Sequence, residues 1–178
     1  MKYSVNKKLS ILFILLALFS GLRAQKISYY RSIGTNAIGI GGVLQTGSYG
    51  LDLDIEKKVG YQLNLLFSAD YTQGKSGYSS FQIYKLNSKC IYEIFSFRNN
   101  FILSSGAGLY IGMEDLHSKV EEKGKEIFVF GAGITLRTEM YISKQICLFA
   151  NATINKNFKS QIYNTFFQIN PGIKILLL

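Results

Sequence analysis

Apolar and polar residues alternate with a period of two along most of this chain. Between Tyr61 and Thr72 one phase reads Tyr61, Leu63, Leu65, Phe67, Ala69, Tyr71, and the other Gln62, Asn64, Leu66, Ser68, Asp70, Thr72. Successive side chains of a strand point to opposite sides of a sheet, whereas a helix would mix these two sets. Phe128 to Met140 repeats the pattern. Its apolar phase is Phe128, Phe130, Ala132, Ile134, Leu136, Thr138, Met140, and the other is Val129, Gly131, Gly133, Thr135, Arg137, Glu139. The same split predicts strands near 36–45, 49–57, 61–73, 81–96, 100–113, 126–141, 145–156 and 166–178.

A soluble sandwich also alternates, so the solvent of the apolar phase needs separate argument. Most of these segments reach the roughly 9–11 residues that a tilted strand needs to cross a bilayer, against about 5–6 in ordinary sheets. Connections alternate in length. Glu56–Gly60, Phe97–Asn99 and Ile142–Lys144 are tight and polar, while Gln73–Ser80, Glu114–Lys125 and Asn157–Thr165 are longer. Membrane barrels place short turns on the periplasmic side and long loops outside. Only the first outer connection, Thr46–Ser48, is as short as a turn. Tyr61 and Tyr71 share the outward phase, about 24 Å apart along the membrane normal at the usual rise and tilt, close to the apolar band of such barrels. With Phe128 and Phe167 they form the expected lipid-facing girdle, Trp being absent. The pattern therefore predicts an all-β fold, an eight-stranded antiparallel up-and-down transmembrane β-barrel.

The first residues agree with export. Lys2, Lys7 and Lys8 precede an apolar run from Ile11 to Phe19, and a small residue, Ala24, follows. A basic start, a short apolar stretch and a small-residue exit make a secretory signal, and the run is too short for a spanning helix. Residues 1–24 are read as a cleaved signal peptide and 25–178 as the barrel domain, with 25–35 a periplasmic tail. The expected location is the outer membrane. No Cys follows the apolar run, so a lipid-anchored form is not expected. Loss of Lys2, Lys7, Lys8 and Arg23 lowers the net charge from +9 to +5. That excess is scattered, so direct nucleic-acid binding is not expected.

If the apolar phase meets lipid, the other phase lines a lumen. It carries Asp52, Asp54, Glu56, Asp70, Glu93 and Glu139 with Lys85, Lys89, Arg137 and Lys174. Buried charges are tolerable only when paired or hydrated. Asp52, Asp54, Asp70, Lys89, Glu93, Arg137, Glu139 and Lys174 are the expected members of a cross-linked polar network. Gly106, Gly108, Gly112, Gly131 and Gly133 fall on the same phase and leave room for Tyr110 and Arg137. Eight strands enclose a space that side chains fill, so a wide pore for DNA or protein is excluded.

No motif points to catalysis. Gly39-Ile40-Gly41-Gly42 and Gly106-Ala107-Gly108 lack the strand–turn–helix context of a phosphate loop. Cys90 and Cys147 sit on opposite phases of non-neighbouring strands, which argues against a disulfide. Asn151-Ala152-Thr153 matches a glycosylation acceptor but lies within a spanning strand. Some eight-stranded barrels hydrolyse acyl chains with His, Ser and an acid at the outer rim. Here His117 and Ser118 are adjacent, beside Glu114 and Asp115, and adjacent residues of an extended chain point oppositely. No enzyme, metal, cofactor or small-molecule substrate is expected, and outer-membrane lipids are the first expected partner.

Over nearly its whole mature length the chain resembles the conjugative-transposon TraO proteins. The residues carrying the resemblance are Gly131-Ala132-Gly133, Leu136, Glu139, Tyr141 and Ser143, with Tyr84 to Phe95, Gly106-x-Gly108 and a Lys- and Glu-rich loop. The resemblance implies an outer-membrane component of a conjugal DNA-transfer apparatus, with other apparatus proteins as partners and no catalytic residues. The chain departs from the usual barrel ending, closing on Leu rather than Phe. Without the resemblance, the residues support a general small barrel for adhesion, ligand contact or envelope integrity.

Overall fold

The structure is a computed structural model that describes residues 32–76, 79–97, 100–118, 125–160 and 162–177. The expected signal segment 1–24, residues 25–31 of the expected tail, the turn residues Arg98 and Asn99, the central part of the Glu114–Lys125 loop and Leu178 lie outside the described residues.

Eight strands make up the fold: β1 (Asn36–Gln45), β2 (Ser48–Lys58), β3 (Leu63–Ser76), β4 (Ser79–Phe97), β5 (Phe101–Ser118), β6 (Lys125–Tyr141), β7 (Ile146–Lys159) and β8 (Thr165–Leu177). Each pairs antiparallel with the next, and β1 pairs with β8 to close the barrel. Closure leaves no sheet edge along the span. In hydrocarbon that matters, because an unpaired backbone amide has no water to turn to. The side-chain distribution is inverted relative to a soluble barrel. Ile40, Leu53, Ile55, Phe67, Leu109 and Ile134 cover the outside, while Asp, Glu, Lys, Arg and Asn fill the inside. So continuous an apolar exterior would drive aggregation in water and is the favourable arrangement in lipid.

Local chemistry explains the turns and the packing. Gln45 pairs with Ser48 across a two-residue turn, and Gly47 adopts φ +75°, a conformation that side-chain-bearing residues resist. Inside, Gly131 lies against Tyr110, and a Cβ there would overlap the Tyr110 hydroxyl. The expectation that glycines make room for Tyr110 is met at this position.

Two expectations need correction. The connections 73–80 and 114–125 are shorter than their polarity suggested, because strands continue into them: Ser76 pairs with Ser79, and Leu116 with Lys125. Above the membrane both faces of a strand meet water, so alternation fades there while pairing continues. Lys58, assigned to a tight turn, is instead the last residue of β2, and its side chain is buried in the lumen.

Leu53 lies midway between Tyr49 and Lys57 on the outward face of β2, paired with Ile40 and Ala69. Leu53→Arg should cost roughly 2–4 kcal/mol and Tyr49→Arg, near the rim, about 0–1 kcal/mol. Urea titration of both variants refolded into lipid vesicles checks this ordering, and equal stability would mean that the apolar belt is misplaced.

Candidate functional site: a closed polar lumen

The closed register carries the inward phase of all eight strands into one narrow interior, which is layered along its axis. At the end bearing the tight turns, Ala37, Ile102, Tyr141, Cys147 and Leu176 form a buried apolar floor. These residues are the inward-facing starts and ends of β1, β5, β6, β7 and β8, so closure alone gathers them. Two residues further along β6 and β8 stand Glu139 and Lys174.

There the strongest electrostatic feature is a ring of four charges. The Arg137 guanidinium contacts Glu56 Oε2 at 3.1 Å through Nη1 and Glu139 Oε1 at 2.9 Å through Nε. Lys174 Nζ donates to Glu56 Oε2 at 2.9 Å and also to Glu139. Each carboxylate bridges both cations, so the ring is neutral. Arg137 and Lys174 are both 0% exposed. The Tyr141 hydroxyl donates to Glu139 Oε2 at 3.2 Å and ties the ring to the floor. The Arg137 guanidinium also lies 5.0 Å from the centre of the Phe149 ring. Phe149 in turn fills a hollow left by Gly39, Gly41 and Gly172, where a Cβ would meet its ring atoms.

A second pair lies across the lumen, where Lys58 Nζ donates to Glu93 at 2.7 Å and Asn64 donates to the same oxygen at 3.1 Å. The middle is a chain of amides and carboxylates. Lys85 donates to Gln168 at 2.9 Å, Gln168 to Asp70 at 3.2 Å and to Asn170 at 2.8 Å, and Asn170 to Asp52 at 3.0 Å. Lys85 also lies 3.6 Å from Asp70. Asp54 is buried in the same layer, and both its oxygens lack a hydrogen bond among the described residues. Lys89 lies buried on β4.

At the loop end the lumen closes on aromatic rings. Phe81 is buried and packs edge-on to Tyr163, with centroids 6.0 Å apart, and Lys85 Nζ lies 4.9 Å from the centre of the Phe166 ring. The Tyr163 hydroxyl donates to the Thr46 carbonyl at 2.8 Å, tethering the β7–β8 loop to the β1–β2 turn. Burial raises the pKa of that phenol and keeps it a donor. Tyr110 donates to Asn157, and Ser160 donates to Glu114 at 2.5 Å.

The structure thus places Asp52, Asp54, Asp70, Lys89, Glu93, Arg137, Glu139 and Lys174 inside the barrel. Sequence reasoning missed Lys58, Glu114, Gln168, Asn170 and the Phe149 cradle. Gln168 and Asn170 share the phase of Lys174, which was the signal available for them. Tyr61 is 73% exposed, just outside β3 rather than within it. Tyr71 stacks on Tyr84 at 5.1 Å, and Phe128 and Phe167 face outward on β6 and β8. Cys90 and Cys147 are free, on opposite faces. His117 points to Asp115, 3.5 Å away, and is separated from Ser118 by one step of extended strand. Among the described residues, no group of three or more His, Cys, Asp or Glu is placed to hold a metal ion.

A closed eight-stranded barrel with an apolar exterior and a packed polar interior defines the class of small outer-membrane-type barrels. Solved structures agree. The chain is similar to Neisserial surface protein A (TM-score 0.66, 12% identity, covering 81% of this chain and 97% of that one). It is similar to a major outer membrane protein of Thermus thermophilus (TM-score 0.70, 9% identity, 82% and 100%). It is also similar to Ail, the attachment invasion locus protein of Yersinia pestis (TM-score 0.56, 13% identity, 82% and 100%). At these identities the likeness is one of fold. No family model and no curated sequence matches the chain.

Removing one member of the ring leaves an uncompensated buried cation. Glu139→Gln should lower the unfolding free energy by about 3–5 kcal/mol, and Arg137→Met on that background should restore part of it. Urea unfolding of the two variants in vesicles measures both steps. A single variant as stable as wild type would show that the ring contributes nothing.

Proposed function

We propose that this chain is a non-enzymatic outer-membrane component of a conjugative-transposon DNA-transfer apparatus, with a structural or docking role. The filled lumen carries the docking half of this reading. With an apolar floor, a neutral charge ring and aromatic closure, the barrel offers no conduit for DNA or protein, which leaves its rims and projecting strands to do the work. The transfer half rests on the resemblance along β6 and its turn. Those residues have structural tasks here: Gly131 admits Tyr110, Glu139 joins the ring, Tyr141 joins the floor, and Ser143 Oγ accepts from the Ile146 amide at 3.0 Å.

A general attachment role is the second reading, and one observation favours it. β4, β5 and β6 have 19, 18 and 17 residues against 10 and 11 in β1 and β2. One side of the barrel therefore projects beyond the loop-end rim as a three-stranded wall. Attachment is also the role named for Ail.

In a Cys-free background, His117→Cys should react with a membrane-impermeant thiol reagent on intact cells, while Lys144→Cys should stay protected until the outer membrane is opened. Reversed labelling would invert the orientation. Deleting the chain from its element should lower DNA transfer, with recovery on complementation, and crosslinking should capture other transfer proteins. Unchanged transfer in the deletion strain would leave the attachment reading.

A further inference from the structure

Among the described residues the lipid-facing surface has two hollows, one of about 720 Å³ around Ala69, Leu53 and Leu86, and a smaller one across β5, β6 and β7 that an exposed lysine borders. Across β5, β6 and β7 the outward residues include two alanines on neighbouring strands. Ala107 pairs with Ile134, Leu109 with Ala132, and Ala132 with Lys156. Beneath them Gly108 and Gly133 face each other directly, so the wall there is backbone alone. The result is an open pit of about 540 Å³ walled by Leu109, Ile134 and Ile154. Pockets that hold ligands run from about 300 to 1,000 Å³.

One charged side chain lines this pit. Lys156 is on the outward phase of β7, exposed, and in no ion pair among the described residues. It lies ten residues beyond Ile146, at the start of β7, or about 24 Å along the membrane normal at the usual rise and tilt. That height is the headgroup level at the loop end, with the pit directly below in hydrocarbon. Thr165 on β8 is its cross-strand neighbour on the same face and adds a hydroxyl, and Lys159 is exposed at the end of β7.

An apolar slot beneath an unpaired ammonium has the polarity of a lipid with an anionic headgroup. We infer that this pit binds a phosphorylated glycolipid of the outer leaflet, of the lipid A type, seating an acyl chain against Ala132 and a phosphate on Lys156. The ammonium and the Thr165 hydroxyl both donate to phosphate oxygens, and such charge-assisted bonds are strongest where water is scarce. A lysine that merely snorkelled to the rim would need no slot below it. The orientation of the proposed function enters only in naming the leaflet.

Native mass spectrometry of the purified, folded barrel tests this with diphosphoryl lipid A, phosphatidylglycerol and phosphatidylcholine as probes. Heat-modifiable migration verifies folding of each variant, and all substitutions face outward. Wild type should retain lipid A preferentially. Lys156→Gln should lower that retention about fivefold, as expected for one lysine at an anionic headgroup. Ala132→Phe, which fills the slot, should abolish it, and Lys144→Gln at the opposite end should leave it unchanged. Retention equal to wild type in Lys156→Gln would reduce the pit to an apolar crevice and overturn the inference. So would equal retention of phosphatidylglycerol or phosphatidylcholine by the wild-type protein. Because the assay uses isolated barrel, its failure is separate from failure of the orientation, which the His117→Cys labelling reads.

Discussion

The pairing of β1 with β8 is the interaction on which everything else depends. A strand crossing hydrocarbon has no water to satisfy its amides, and each unsatisfied group costs several kcal/mol. Closure removes that cost along both strands, from Asn36 opposite Leu177 to Gln45 opposite Gln168. The seam is imperfect where Pro171 supplies no N–H, and the ladder is interrupted between the Gly41–Gly172 and Leu44–Ile169 pairs. Ladders on both sides of the break hold register across it. Because the eight strands form a cycle, this last pairing also fixes which residues of the first and last strands look inward.

Closure with eight strands leaves a space only as wide as the side chains that fill it. Filling it is a matching problem in volume and in charge. Volume is matched by setting rings against glycines, Tyr110 on Gly131 and Phe149 on Gly39, Gly41 and Gly172. Toward the turn end charge is matched locally, since Glu56, Arg137, Glu139 and Lys174 neutralise one another and Lys58 neutralises Glu93. A charge left alone at this depth is far costlier than a pair, so neutral clusters are the arrangement that the low dielectric selects. Side chains fill the interior that results, which leaves the outer surface and the rims for contact with other macromolecules.

How much of this is legible in the sequence follows from which signals are local. Alternation is local, so the eight strands and the inward phase of residues such as Arg137 and Glu139 can be read directly. Partner choice is not local. Glu56 and Arg137 are on β2 and β6, and only the closed register brings them within 3.1 Å. Strand ends are obscured for a different reason. Lys57-Lys58 looks like a polar turn, yet Lys58 reaches Glu93 across the barrel floor. Glu114 looks like a loop residue, yet it is buried where Ser160 meets it. Polarity marks solvent on the outside of such a barrel and the lumen on its inside, and at the rim the two meanings coincide.

The polar interior also specifies the fold. An apolar lining would tolerate a slip of one residue between neighbouring strands, since the lipid face is apolar as well. With charges inside, a one-residue slip of β6 would turn Arg137 and Glu139 into hydrocarbon and bring Leu136 and Thr138 against the ring. The ring thus guards register toward the turn end of the wall. Toward the loop end of β4–β6 no such penalty operates, because both faces of the wall meet water. Sequence can change there without threatening closure, and this is the surface on which a barrel with a filled lumen is free to acquire a partner.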